Sequence, residues 1–131
     1  MAGNHSKAFE YFGVVPKNIR WSWSGRSPDG QVVAVRLWQD KFEDKGRLYR
    51  SWSDDEPGTW KSRPGFTELI ENLMHARDQL DGVVSVILLI AKDKAAVPRS
   101  IDRSSPAPNL KMRVIELDED EGTFLLKRVD G

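Results

Sequence analysis

The chain offers few groups suited to catalysis and many suited to stacking. Its two histidines are His5 and His75, and it has no cysteine, which excludes disulfides, thiolate nucleophiles and cysteine-based zinc sites. His75 falls one helical turn after Glu71, the spacing of a solvated surface pair, and supplies no basis for a general base. No G-x-S-x-G elbow accompanies the serines, and neither G-x-x-x-x-G-K-[ST] nor G-x-G-x-x-G occurs to cradle a phosphate. Carboxylates gather at Asp54-Asp55-Glu56 and at Asp118-Glu119-Asp120-Glu121. Hard oxygen ligands of this kind attract divalent cations, but the second run lacks EF-hand spacing and the first has no matching cluster elsewhere, so solvated loops are the simpler account. No cofactor is expected.

The aromatic residues are distributed less evenly. All five tryptophans, Trp21, Trp23, Trp38, Trp52 and Trp60, lie within forty residues, and the last 71 residues contain none. Filling a core requires no such segregation. An indole buries a large area and carries an N–H that wants a partner, which suits a core edge or a binding surface. Arginines recur beside the tryptophans at Arg20, Arg26, Arg36, Arg50 and Arg63. Aromatic faces stack on bases while guanidinium groups bind phosphates or base edges, so the combination points to a single-stranded or flipped base. Asp40, directly after Trp38-Gln39, is a candidate acceptor from a base edge, against the alternative of a turn carboxylate. Arg20, Arg26, Arg50, Arg63, Arg99 and Arg103 are candidates to position the phosphate backbone. Arg99 has an alternative role, holding its loop through an ion pair.

These residues need a scaffold. Ile19, Trp21 and Trp23 share one face of a first strand, with Arg20, Ser22 and Ser24 pointing outward from the other. Ser27-Pro28-Asp29-Gly30 then predicts a hairpin turn into a strand from Gln31 to Trp38. A third strand is expected over 47–53 and a loop over 54–65, with Trp60 in its middle. Phe66, Leu69, Ile70, Leu73, Met74, Arg77 and Leu80 fall at helical spacing, with Glu68, Glu71, Asn72, His75 and Asp78 away from that stripe, predicting a helix over 66–81 that Gly82 stops. VVSVILLIA at 83–91 is rich in β-branched residues and has no alternation, as expected of a central strand buried on both faces. A long Pro- and Ser-bearing connection over 92–109 follows. Two alternating strands, over 110–117 and 123–129, then flank the acidic turn. The expected class is α+β, a curved, mostly antiparallel sheet of about six strands packed on one main helix.

Length and charge bound the function. The 131 residues suit a single domain over 9–131 after a flexible leader over 1–8, and 39% hydrophobic with 31% charged residues suits a globular protein. No apolar run is long enough to span a bilayer and the N-terminus lacks a secretory h-region, so no membrane partner and a cytoplasmic location are expected. Formal net charge is zero, which argues against a general basic coat for DNA. Residues 1–66 nevertheless carry 11 Lys/Arg against 8 Asp/Glu, and residues 92–113 carry six basic side chains against two acidic ones, a candidate basic patch.

N-I-R-W-S-W at 18–23, D-G-x-V-V at 29–33, L-W-Q-D at 37–40, A-K-D at 91–93 and P-R-x-I at 98–101 together resemble a small bacterial domain of restriction and mobile-element proteins. That domain occurs alone or beside a nuclease domain. The resemblance covers most of residues 11–129 and implies a nuclease or another protein as a partner. In element order and tryptophan content the chain is also similar to the PUA-like modified-base readers of the EVE and YTH group. This likeness implies a partly open β-barrel and a reader in which aromatic residues receive an altered base, and it implies no catalysis. The leading expectation is therefore a nucleic-acid-binding module. Two alternatives stay open: a metal-dependent nuclease using Asp54, Asp55 or the 118–121 turn, and a protein-interaction or oligomerisation module with the tryptophans as its hot spot. The oligomeric state is not set by these residues.

Overall fold

Ser27-Pro28-Asp29-Gly30 turns the chain by side-chain chemistry as much as by backbone preference. In a computed structural model, which describes residues 4–17, 22–50, 66–92, 101–118 and 123–129, the Ser27 hydroxyl accepts from the amides of Gln31 (3.1 Å) and Val32 (3.0 Å) and donates to the Asp29 carboxylate at 2.6 Å. The Ser27 hydroxyl and then the Gln31 amide hold the Asp29 carboxyl below its usual range. The turn joins strand β1 (Ser24–Arg26) to antiparallel strand β2 (Val33–Trp38), with Arg26 opposite Val33. The earlier part of the expected first strand, through Ile19 and Trp21, lies outside the described residues.

Strands β3 (Leu48–Arg50), β4 (Val83–Ala91), β5 (Ile101–Asp118) and β6 (Thr123–Arg128) complete a six-stranded sheet of order β1-β2-β4-β5-β6-β3. Neighbours are antiparallel except β2 and β4, which run parallel because a crossover containing helix α2 (Phe66–Gln79) separates them. The fold is α+β, and the sheet is mixed and open. The expected connection over 92–109 is corrected from Ile101 onward, where β5 begins; residues 93–100 lie outside the described residues. Pro106 and Pro108 are tolerated because β6 pairs with β5 only over Met112–Asp118, leaving the earlier half flanked by β4 alone among the described strands. A register shift at Ser85/Val86 also sets residues 108–110 aside as a bulge.

Helix α2 lays Leu69, Ile70, Leu73 and Ala76 on Val33, Val35, Val84, Val86 and Met112, which face the same side of the sheet. Each fully buried valine, leucine or methionine side chain among these contributes about 1.5–3 kcal/mol. The helix ends at Gln79, where the amides of Leu80 and Gly82 both turn back to the Ala76 carbonyl and Gly82 takes φ +79°. On the opposite face, helix α1 (Asn4–Tyr11) buries Ala8 and Phe9 against Ala34 and Ile87. The expected leader over 1–8 thus gives way at Asn4 to a helix, because Ala8 and Phe9 complete the second apolar face of β2 and β4. No helix among the described residues is long and apolar enough to cross a membrane.

The sheet curls strongly. The Arg36 and Trp38 amides, two residues apart on β2, point to the same side. The Arg36 amide donates to the Trp23 carbonyl, but the Trp38 amide donates at 3.1 Å to the Tyr49 hydroxyl on β3, the far strand of the sheet. In a flat sheet β2 and β3 would stand about 19 Å apart, at 4.8 Å per strand. The curl brings them together and leaves a gap bridged by a side chain. One-residue bridges cover both edges: Val15 pairs with Arg26 beside β1, and Glu43 pairs with Leu48 beside β3. Gly25 permits the first of these, since a Cβ there would stand 3.0 Å from Val14 Cγ2 and 3.3 Å from the Pro16 nitrogen.

Candidate nucleic-acid interface

At the end of the sheet where β2 and β4 terminate, Trp23 and Trp38 pack with ring centroids 6.3 Å apart and planes at 56°. Trp38 is only 5% exposed, so it supports the cluster from within, whereas Trp23 is half-buried. The Arg36 guanidinium lies 5.6 Å from the Trp23 ring centroid and 5.8 Å from that of Phe9, and its Nη1 donates to the Ser22 carbonyl at 2.9 Å. Burial lowers the Arg36 pKa to about 10, leaving it charged at neutral pH. A desolvated cation against an indole face is a strong brace, so Trp23 is presented rigidly. Asp40, exposed in a 3₁₀ turn (Gln39–Lys41), lies two residues beyond Trp38, and Arg103 pairs with Ile90 at the same end. Trp38, Leu89 and Ser104 align across β2, β4 and β5, and the buried Ser104 hydroxyl has no hydrogen-bond partner among the described residues.

Other candidates serve elsewhere. Arg26 donates through Nε to Asn72 at 3.0 Å, and Arg50 pairs with Glu43 at 3.2 Å on β3. Arg20, Trp21, Trp52, Trp60, Arg63 and Arg99 lie outside the described residues, as do Asp54, Asp55 and the 119–121 part of the acidic turn. Among the described residues, no group of three or more His, Cys, Asp or Glu side chains is placed to hold a metal ion. The basic run over 92–113 does not converge. The bulge at 108–110 reverses the alternation of β5, so Arg103 shares the face of Val86 and Leu88, whereas Lys111 and Arg113 share that of Ser85 and Ile87. Lys111 donates to Ser85 at 2.8 Å and sits over the Phe12 ring, and Arg113 is held by Asp81.

A polar seam between β1 and α2 corrects two expectations. Ser22 and Ser24 are fully buried and do not point outward. The Glu68 carboxylate, also buried, accepts from the Ser22 hydroxyl at 2.5 Å and from the Lys17 amide at 2.8 Å. Asn72 donates to the Ser24 hydroxyl at 2.8 Å. His75 meets Glu71 in sequence only: its Nε2 donates to the Gly30 carbonyl at 2.8 Å, while Glu71 faces Lys17. The alternation of Ser22, Ser24 and Arg26 against the i, i+4 pair Glu68 and Asn72 is the sequence signal that reveals this seam. A comparison with protein-family models finds no match, and neither the curated proteins nor the solved structures yield one.

Proposed function

We propose that the protein is a nucleic-acid-binding module that stacks a base on Trp23. The supporting observation is the half-buried Trp23 indole, braced from behind by the Arg36 guanidinium and Trp38 at the sheet end that also carries Asp40 and, on the opposite face, Arg103. A rigid aromatic face backed by a buried cation suits stacking, and an exposed carboxylate two residues beyond Trp38 suits a base-edge amine. Recognition of a methylated or flipped base, in the manner of the PUA-like readers, is the finer form of this proposal.

Titration with single- and double-stranded oligonucleotides carrying plain or methylated bases, followed by tryptophan fluorescence at two salt concentrations, tests both forms. A saturable response is expected, and the finer form requires preference for the methylated strand. Trp23→Ala is expected to keep the circular-dichroism spectrum of the fold and to lose about 1–3 kcal/mol of binding, roughly 5- to 150-fold in Kd. Unchanged affinity in that variant sinks the stacking role. A solution mass that rises with concentration, without any response to nucleic acid, favours an interaction module instead.

A further inference from the structure

Strand alternation sorts the cations of β5 and β6 onto two faces. Lys111 and Arg113, two residues apart on β5, point with Ser85 and Ile87 to the face that carries α1. Lys127 stands directly opposite Arg113 and joins them there. Arg128 stands opposite Met112 and belongs to the other face, as does Arg47, whose carbonyl accepts from the Arg128 amide. The α1 face thus gathers three cations on adjacent strands, about 4.8 Å apart across the strands and about 6.8 Å along them.

Setting Arg113 against Lys127 weakens a sheet, and little in the fold offsets it. Arg113 is held by Asp81 at 3.0 Å, whereas Lys111 donates to the neutral Ser85 hydroxyl at 2.8 Å and lies 5.5 Å from the Phe12 ring centroid. Among the described residues neither Lys111 nor the exposed Lys127 makes an ion pair. Glu116 lies opposite Leu125, past a register shift toward the other end of the hairpin, and Glu10 lies on the side of α1 away from Ala8.

An exposed aromatic ring stands beside these cations. Tyr11, the last residue of α1, is 59% exposed and packs edge to face on Phe12 with ring centroids 5.1 Å apart. Phe12 is therefore a neighbour shared by Tyr11 and Lys111. Trp23 is on the same face of the sheet: it comes opposite Arg36 in the β1–β2 register, and Phe9 of α1 lies against the other side of contact of that guanidinium, 5.8 Å away.

We infer that Lys111, Arg113 and Lys127, with Tyr11 beside them, form a second contact surface for a single-stranded nucleic acid, the cations taking phosphates and the phenol ring stacking a base. This inference rests on the function proposed above and adds the contacts that supply its electrostatic affinity. Cations gathered on one face answer a regularly charged polymer, and an exposed ring fixed next to them answers an unpaired base. An acidic peptide would use the cations and leave Tyr11 without a planar partner.

The test is anisotropy of a fluorescein-labelled thymidine 12-mer titrated with the full chain across a salt series. Lys127→Gln removes no side-chain hydrogen bond or ion pair among the described residues. It should flatten the dependence of log K on log salt by about 0.7, and Lys111→Gln with Lys127→Gln by about 1.4. The pair Arg47→Gln, Arg128→Gln makes the same charge change on the other face and should keep the wild-type slope. Tyr11→Ala should also keep the slope while raising Kd roughly 5- to 150-fold. Wild-type binding with an unchanged slope in the lysine variants, or an equal loss in both double variants, overturns this surface and leaves the proposed function standing. No binding by the wild type overturns both. Loss in the lysine variants with full binding by Trp23→Ala upholds the surface and overturns the stacking on Trp23. Unchanged affinity in Tyr11→Ala overturns the single-strand assignment, and displacement by poly-glutamate as readily as by poly-thymidine at equal charge overturns it in favour of an acidic polypeptide.

Discussion

In the seam between β1 and α2, two serines, an arginine, a glutamate and an asparagine are wholly or partly withdrawn from water, and each finds its partner inside the fold. On the α1 face of β5 and β6, Lys111 and Lys127 keep their charges with no carboxylate among the described residues to meet them. The same kinds of side chain thus do opposite work. Where the surroundings are dry, polar groups must be matched one to one, because an unmet buried donor or acceptor costs more than a made bond returns. Where water remains, charge can be left unmatched at little cost and is available to a partner.

Glu68→Ala is the most severe way to break this contrast. It strands the Lys17 amide and the Ser22 hydroxyl, and is expected to lower stability by about 2–4 kcal/mol in urea unfolding. A loss below about 1 kcal/mol would mean that water reaches the seam. Asn72→Ala removes the partner of both Ser24 and Arg26, and about 1–3 kcal/mol should be lost by the same measurement. Ser104 is a buried hydroxyl outside the seam with no partner among the described residues, so Ser104→Ala should be neutral or stabilising by up to about 1 kcal/mol. A clear loss there would reveal an ordered water or ligand on the hydroxyl. The smallest effect belongs to the Ser27–Asp29 turn, which is open to water. Because the folded Asp29 carboxyl titrates below its usual range, its contribution is present above the ordinary carboxylate range and disappears as pH falls through the lowered value. The difference in unfolding midpoint between wild type and Asp29→Asn should therefore vanish as pH falls below that lowered value.

The hairpin turn, helix α2 and central strand β4 were legible because turn chemistry and apolar periodicity are local signals. The reach of β5 was hidden because prolines and serines usually mark loops, and only the absence of a second neighbour among the described strands along its first half makes them acceptable in a strand. The seam escaped for a related reason. Hydrophobic patterning assigns Ser22, Ser24, Glu68 and Asn72 to solvent, and their burial depends on mutual pairing between segments more than forty residues apart. Among the site residues, Trp23, Trp38, Asp40 and Arg103 were brought to one end of the sheet, yet no spacing rule showed that Trp38 would be buried or that Arg36 would stand behind Trp23. The cationic cluster was illegible because Arg113 and Lys127 become neighbours only through the β5–β6 register.

The strand order also constrains how the chain is made. Tyr49 takes its backbone neighbour from Leu126, more than seventy residues further along, although the phenol completes a core that begins at Val33. A growing chain leaving the ribosome must carry β3 without its neighbour until β6 emerges, and closing so long a loop slows folding. During that interval Tyr49 and Phe42, which pack edge to face in the finished molecule, have no sheet to cover them. Early termination before Thr123 would make the delay permanent, leaving a sticky, unfinished half that chaperones or proteases must handle.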